Sequence, residues 1–150
     1  MLRLRRAAYR VAYRLLWLSS FVRPRSSQGA KGLLICDGEV LLVRHTYGPY
    51  RWELPGGGIK RGEDPLAAVR RELGEELGIV VTAATLIATQ RRVAREHAQL
   101  TYLYRVDLDS RVLRADPVEI AELRWCDPAA PPTPLGQMVD GALASLQPRS

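Results

Sequence analysis

Residues 57 to 79 read GGIKRGEDPLAAVRRELGEELGI, and the order of residue types in this stretch predicts one short helix with a specific charged face. Asp64 followed by Pro65 is a helix start, a capping side-chain oxygen and then a residue with no amide donor to lose. Gly78 is a helix stop, because glycine readily takes the left-handed conformation that closes a helix. Between them Leu66, Val69, Leu73 and Leu77 recur at three- and four-residue spacing and form one buried stripe. Glu72, Glu75 and Glu76 share a second face, about 100° round from that stripe. Three carboxylates therefore flank the buried surface.

Left alone, that arrangement is unfavourable. The three glutamates crowd the negative end of the helix, where each like charge costs roughly 0.3–1 kcal/mol. Arg71 offsets part of this by reaching Glu75 at i+4, in the weaker of the two charge orders. A divalent cation would offset the rest, and oxygen-only ligands suit Mg²⁺ or Mn²⁺. In most chains a run of glutamates is only a solvated helix face. Here Gly57 and Glu63 stand at fixed offsets from it as well, which a solvated face does not require.

Those offsets carry a resemblance. Gly57, Glu63, Arg71-Glu72-Leu73, Glu75-Glu76 and Gly78-Ile79 match the Nudix box, G-x5-E-x7-R-E-U-x-E-E-x-G-U with U apolar, at every specified position. Chance coincidence is on the order of 10⁻⁹ per start position at average residue usage. The resemblance implies an α/β fold, an α/β/α sandwich around a mixed sheet. It also implies a diphosphatase (pyrophosphohydrolase) that uses Mg²⁺ or Mn²⁺ to cleave a nucleoside diphosphate linked to another group. By position, Glu72, Glu75, Glu76 and the Gly57 carbonyl are the metal-ligand candidates, Glu63 is either a further, water-bridged ligand or a hydrogen-bond brace, and Arg71 orients a glutamate. Glu75 or Glu76 is the first choice of general base, with Glu119, Glu122 and Glu96 as later-loop candidates.

Ahead of the box, Arg44 and Arg51 are candidates for substrate phosphates, and Trp52, Tyr47 or Tyr50 for stacking on a base. His45 and His97 show no partner in the sequence and are read as structural. The substrate class stays open between a nucleoside triphosphate, a nucleotide sugar and an RNA 5′ end. The proline and tyrosine that some members carry beyond the box are missing here. The competing class is a non-catalytic module that senses a nucleotide or docks at membranes; its usual mark is loss of box glutamates, and this chain has them all.

The chain has 150 residues, 47% hydrophobic and 25% charged, which suits one soluble domain. Two cysteines make no disulfide framework, and without a clear export signal the expected location is the cytoplasm. The net charge of +6 is uneven: residues 1 to 31 hold seven Arg, one Lys and no acid, leaving the remainder slightly negative. Residues 1 to 29 are read as a basic arm and linker, and residues 30 to 150 as the domain.

Within the arm, residues 3 to 18 predict an amphipathic helix. Leu4, Ala8, Val11, Leu15 and Leu18 lie on one face and Arg3, Arg6, Arg10 and Arg14 on the other. Three roles compete: packing on the domain or in a homodimer, peripheral contact with an anionic membrane, or contact with nucleic acid. No stretch of the arm is long enough to span a bilayer.

Further along, Gly32–Cys36 and Val40–Arg44 read as strands joined across Asp37-Gly38. Val80–Gln90, Leu100–Leu108 and Ala121–Cys126 read as three more, with a polar loop at Arg91–Gln99 and a closing helix at Leu135–Leu146.

Overall fold

Asp37 and Gly38 take φ of 50° and 78°, the positive pair that a two-residue hairpin turn demands. They join strands β1 (Ser26–Cys36) and β2 (Glu39–His45) of a computed structural model that describes residues 26–94 and 97–146. The expected N-terminal helix and the base candidate Glu96 lie outside the described residues.

After the hairpin come β3 (Gly56–Gly58), helix α1 (Pro65–Leu77), β4 (Thr85–Ala94), β5 (His97–Asp107), β6 (Ile120–Cys126) and helix α2 (Val139–Ala144). The sheet runs β4-β5-β1-β2-β6, with β3 paired to β1. The β1–β5 pair is parallel and the others are antiparallel, so the sheet is mixed.

Alternation along the strands feeds two cores, one on each face. Leu34, Leu41, Val43, Tyr104 and Val106 pack with Ala68, Val69, Leu73 and Leu77 of α1. Leu33, Val40, Leu42 and Leu103 pack with Val139, Ala142 and Leu143 of α2. The result is the α/β/α sandwich. Cys36 and Cys126 are buried and free. No helix among the described residues is long and apolar enough to cross a membrane.

Three elements depart from expectation. β1 reaches back to Ser26, into the stretch read as linker, because residues 26–29 pair with Ala98–Thr101 of β5. The polar loop expected at Arg91–Gln99 is instead the outer end of the β4–β5 hairpin, paired out to Ala94 and His97. Backbone pairing is indifferent to side-chain polarity, and this end has little apolar alternation to betray it. The closing helix is confined to Val139–Ala144, half the length expected. The late start follows from Leu135 bridging to Trp52 and the Gly136 amide donating to the Trp52 carbonyl at 2.7 Å, with Gly136 also a weak helix former.

Candidate active site

Helix α1 begins and ends where its sequence requires. Asp64 accepts hydrogen bonds from the Leu66 and Ala67 amides at 2.9 and 3.1 Å, a cap worth about 1 kcal/mol. Gly78 closes the helix at φ 65°. Pressing Leu73 and Leu77 into the core carries Glu76 in with them, and it is 1% exposed.

Glu76 abuts a wall of glycine. Its Oε2 accepts from the Gly56 amide at 2.8 Å, and its Oε1 stands 3.7 Å from His45 Nδ1. Burial pushes its pKa from 4.5 up to about 7, against the pull of the Lys31 charge and the Gly56 amide. Burial and the same lysine push His45 down to about 4, so it is neutral at pH 7. Lys31 itself donates to the Gly56 carbonyl at 2.8 Å.

The glycines are there for space. Gly56 has φ 122°, and a Cβ on it would lie 2.3 Å from the Ala30 carbonyl oxygen. A Cβ on Gly57 would lie 2.6 Å from the Glu72 carboxyl carbon. Only a bare backbone admits the Glu72 carboxylate so close.

Arg71 ties the remaining carboxylates together. Its Nε and Nη2 donate to the two oxygens of Glu63 at 2.7 and 2.9 Å, and Nη1 donates to Glu72 at 2.7 Å. Glu75 lies at 3.4 Å, and Nη2 also donates to the Gly58 carbonyl at 3.0 Å. The Arg71 hydrogen bond, then that from the Lys60 amide, hold Glu63 down at about 2. Among the described residues no three Asp, Glu, His or Cys side chains already converge as a metal site.

An open cleft runs past this wall, lined by Lys31, His45, Arg51, Glu53, Gly56–Gly58 and Glu63. Glu76 and Glu72 meet it from behind, through Gly56 and Gly57. Of the residues expected to meet substrate, Arg51 and Tyr47 line the cleft and Arg44, Tyr50 and Trp52 do not. Trp52 is 4% exposed, in the core beside α2. Arg44 is stacked between the Tyr50 and Trp52 rings at 4.1 and 4.3 Å and bonded to Glu122. Tyr50 also donates to Glu122, so that base candidate is engaged by two partners. Glu119 is half-buried, its carbonyl accepting from the Thr46 amide at 2.8 Å.

Lys31, Glu53 and His45 are cleft residues whose position was not anticipated. A lone lysine within an apolar strand and a glutamate just before the glycines were the available signals for the first two. His45 had none, since its neighbour Glu76 is 31 residues away.

The family is decided by a match over most of the chain. Residues 27–144 match the family model described as NUDIX domain. The chain belongs to the NUDIX family.

The MutT NUDIX hydrolase from Burkholderia pseudomallei superposes with a TM-score of 0.74 at 28% identity, covering 81% of this chain and 98% of that one. The E. coli ORF135 protein gives 0.59 at 28% identity, with 69% and 75% covered. By sequence, the chain is 44% identical over 62 residues to an RNA pyrophosphohydrolase of Aeromonas hydrophila, and 40% identical over 65 residues to that of Psychromonas ingrahamii. These alignments take in 40% and 43% of this chain but only 35% and 36% of the relatives. The NUDIX chain thus spans about a third of the length of those relatives.

Proposed function

We propose that the protein hydrolyses a diphosphate bond in a nucleoside diphosphate linked to a second group, with Mg²⁺ or Mn²⁺ as its cofactor. The observation that carries this reading is the carboxylate face of α1 against the glycine wall of an open cleft, with Glu72 against the bare Gly57 and the buried Glu76 on the Gly56 amide.

The donor set fits a hard cation. Glu72, Glu75, Glu76 and Glu63 are all oxygen ligands, and the bare Gly57 leaves its backbone open beside Glu72. Glu72, Glu75, Glu76 and the Gly57 carbonyl would hold the ion, with Glu63, bonded through both oxygens to Arg71, bracing the set. When bound, it supplies neutralisation of the diphosphate oxygens.

The chain's own residues do the rest. Arg51 meets a phosphate from the cleft wall, and Lys31 holds the Gly56 carbonyl in place beside Glu76. Glu76, or the more exposed Glu75, accepts the proton of a water as its oxygen attacks phosphorus. The anhydride oxygen leaves with the other phosphate. Arg71 keeps Glu63 and Glu72 in position.

The second group can be further phosphate, a sugar or an RNA 5′ end, and relatives named RNA pyrophosphohydrolases support including the last. The arm is proposed to pack on the domain or a second subunit, with an anionic membrane as the competing surface. A substrate panel of nucleoside triphosphates, nucleotide sugars and 5′-triphosphorylated RNA, read by chromatography with Mg²⁺ and with EDTA, tests the proposal. Turnover that survives EDTA contradicts it.

A further inference from the structure

The cleft does not end at the box. It continues along β1 and across the hairpin, where Gln28, Gln90, Arg91, Arg92 and Gln99 line it. The register sets Ser27 beside Gln99, and Gln99 beside Arg92. Lys31 pairs with Gly56 four residues further up the same strand. At strand rise and spacing, with β4 three strands over from β3, Arg92 is thus about 13 Å along and about 14 Å across from Gly56 of the glycine wall, roughly 19 Å in all.

Four arginines line this cleft: Arg51, Arg61, Arg91 and Arg92. Among the described residues none of these side chains has a hydrogen bond or ion pair. Elsewhere the chain supplies carboxylates freely: Asp107 holds Arg105, and Asp37 and Glu39 hold Arg111. Unpaired cations along one cleft raise the local potential for a polyanion. Charges also guard exposed sheet edges, but that role needs neither continuity with the cleft nor amide side chains beside it. Gln90 and Gln99 bring both donors and acceptors, and arginine planes stack on unpaired bases.

We propose that Arg92, Gln90 and Gln99 on one face of the sheet, with Arg91 beside them on the edge strand β4, form a distal subsite for the downstream nucleotides of a single-stranded RNA whose 5′ phosphates lie at the glycine wall. The distance separates these cations from the phosphates being cleaved, so they read the rest of the strand. A 5′ triphosphate on a single strand is the product of unprimed RNA synthesis, which is the reaction class that would supply this substrate. The inference rests on the hydrolase reading above and adds a binding site to it.

Full-length protein, wild type and the double variant Arg91→Ala/Arg92→Ala, is titrated with a 3′-labelled, 5′-triphosphorylated RNA of about ten nucleotides. Anisotropy is read in EDTA across a salt series. Each lost phosphate contact lowers the slope of log affinity against log salt by about 0.7 for a single strand. The double variant should lose about 1.4 from that slope and bind about tenfold more weakly at 0.1 M salt. Arg91→Lys/Arg92→Lys should keep most of the slope. In turnover, the ratio of kcat/KM on this RNA to that on a nucleoside triphosphate should fall in the alanine variant. RNA bound through these arginines but not hydrolysed upholds the subsite and defeats the hydrolase reading. Hydrolysed RNA whose affinity and salt slope ignore the alanine substitutions overturns the subsite alone.

Discussion

His45 Nδ1 and Glu76 Oε1 stand 3.7 Å apart, the carboxylate buried and the imidazole nearly so, and Nδ1 has no hydrogen-bond partner among the described residues. Burial drives both groups toward neutrality, one down to about 4 and the other up to about 7. At pH 7 the pair is therefore a neutral imidazole beside a half-ionised carboxyl, with Lys31 as the nearby fixed charge.

The two groups act oppositely on stability. Folded Glu76 binds its proton more tightly than the unfolded chain does, so its contribution is present below pH 4.5 and lost as pH rises through 7. Folded His45 binds its proton less tightly, so its contribution is present above pH 6.5 and lost as pH falls through 4. Each is worth up to about 3 kcal/mol, and they largely cancel between pH 4.5 and 6.5. Glu76→Gln removes one side of the balance. Urea unfolding in EDTA should show the variant's stability climbing from pH 4 to 6.5 more steeply than wild type, and exceeding it above pH 7. Parallel profiles would contradict the shared burial.

Arg71 holds together three carboxylates that repel one another when it is lost. Arg71→Ala leaves Glu63, Glu72 and Glu75 to repel one another, and should cost about 1–3 kcal/mol of stability. Arg71→Lys should recover little, since an ammonium cannot fork across both Glu63 oxygens. Chemical denaturation of the three proteins decides it. A lysine variant as stable as wild type would show that charge alone matters here.

The three glycines of β3 should respond differently to one methyl group. Gly58→Ala meets nothing within 4 Å and should stay within about 0.5 kcal/mol of wild type. Gly57→Ala strikes the Glu72 carboxylate first, a side-chain end that can swing away, so the Mg²⁺ concentration for half-maximal rate should rise while the Tm holds. Gly56→Ala strikes the Ala30 backbone at a positive φ and should lower the Tm by several degrees or prevent folding. Equal effects at all three positions would mean the wall is not set by these contacts.

Helix α1 was legible to the residue, because Asp64, Pro65 and Gly78 act through local backbone chemistry that a sequence displays. The Asp37-Gly38 turn was legible for the same reason. The outer end of the β4–β5 hairpin was not: Arg91 and Arg92 are exposed and polar, and only backbone pairing with Leu100 and Gln99 holds them in a strand. Of the site, Glu72 against Gly57 follows the box spacing. The approach of His45 to Glu76 does not, since a strand end and a helix meet there through the fold. Trp52 illustrates the reverse error: an aromatic beside a glycine turn suggested base stacking, and it fills the core next to α2 instead.

The central claim is that the box glutamates are the seat of a metal-dependent diphosphate hydrolysis. Its most direct test is kcat/KM of Glu76→Gln against wild type, with saturating Mg²⁺, on whichever panel substrate turns over fastest. Losing a carboxylate proposed as both ligand and base should lower kcat/KM by roughly 10²–10⁴-fold, while circular dichroism shows the fold retained. A variant that hydrolyses the substrate at the wild-type rate would contradict the account.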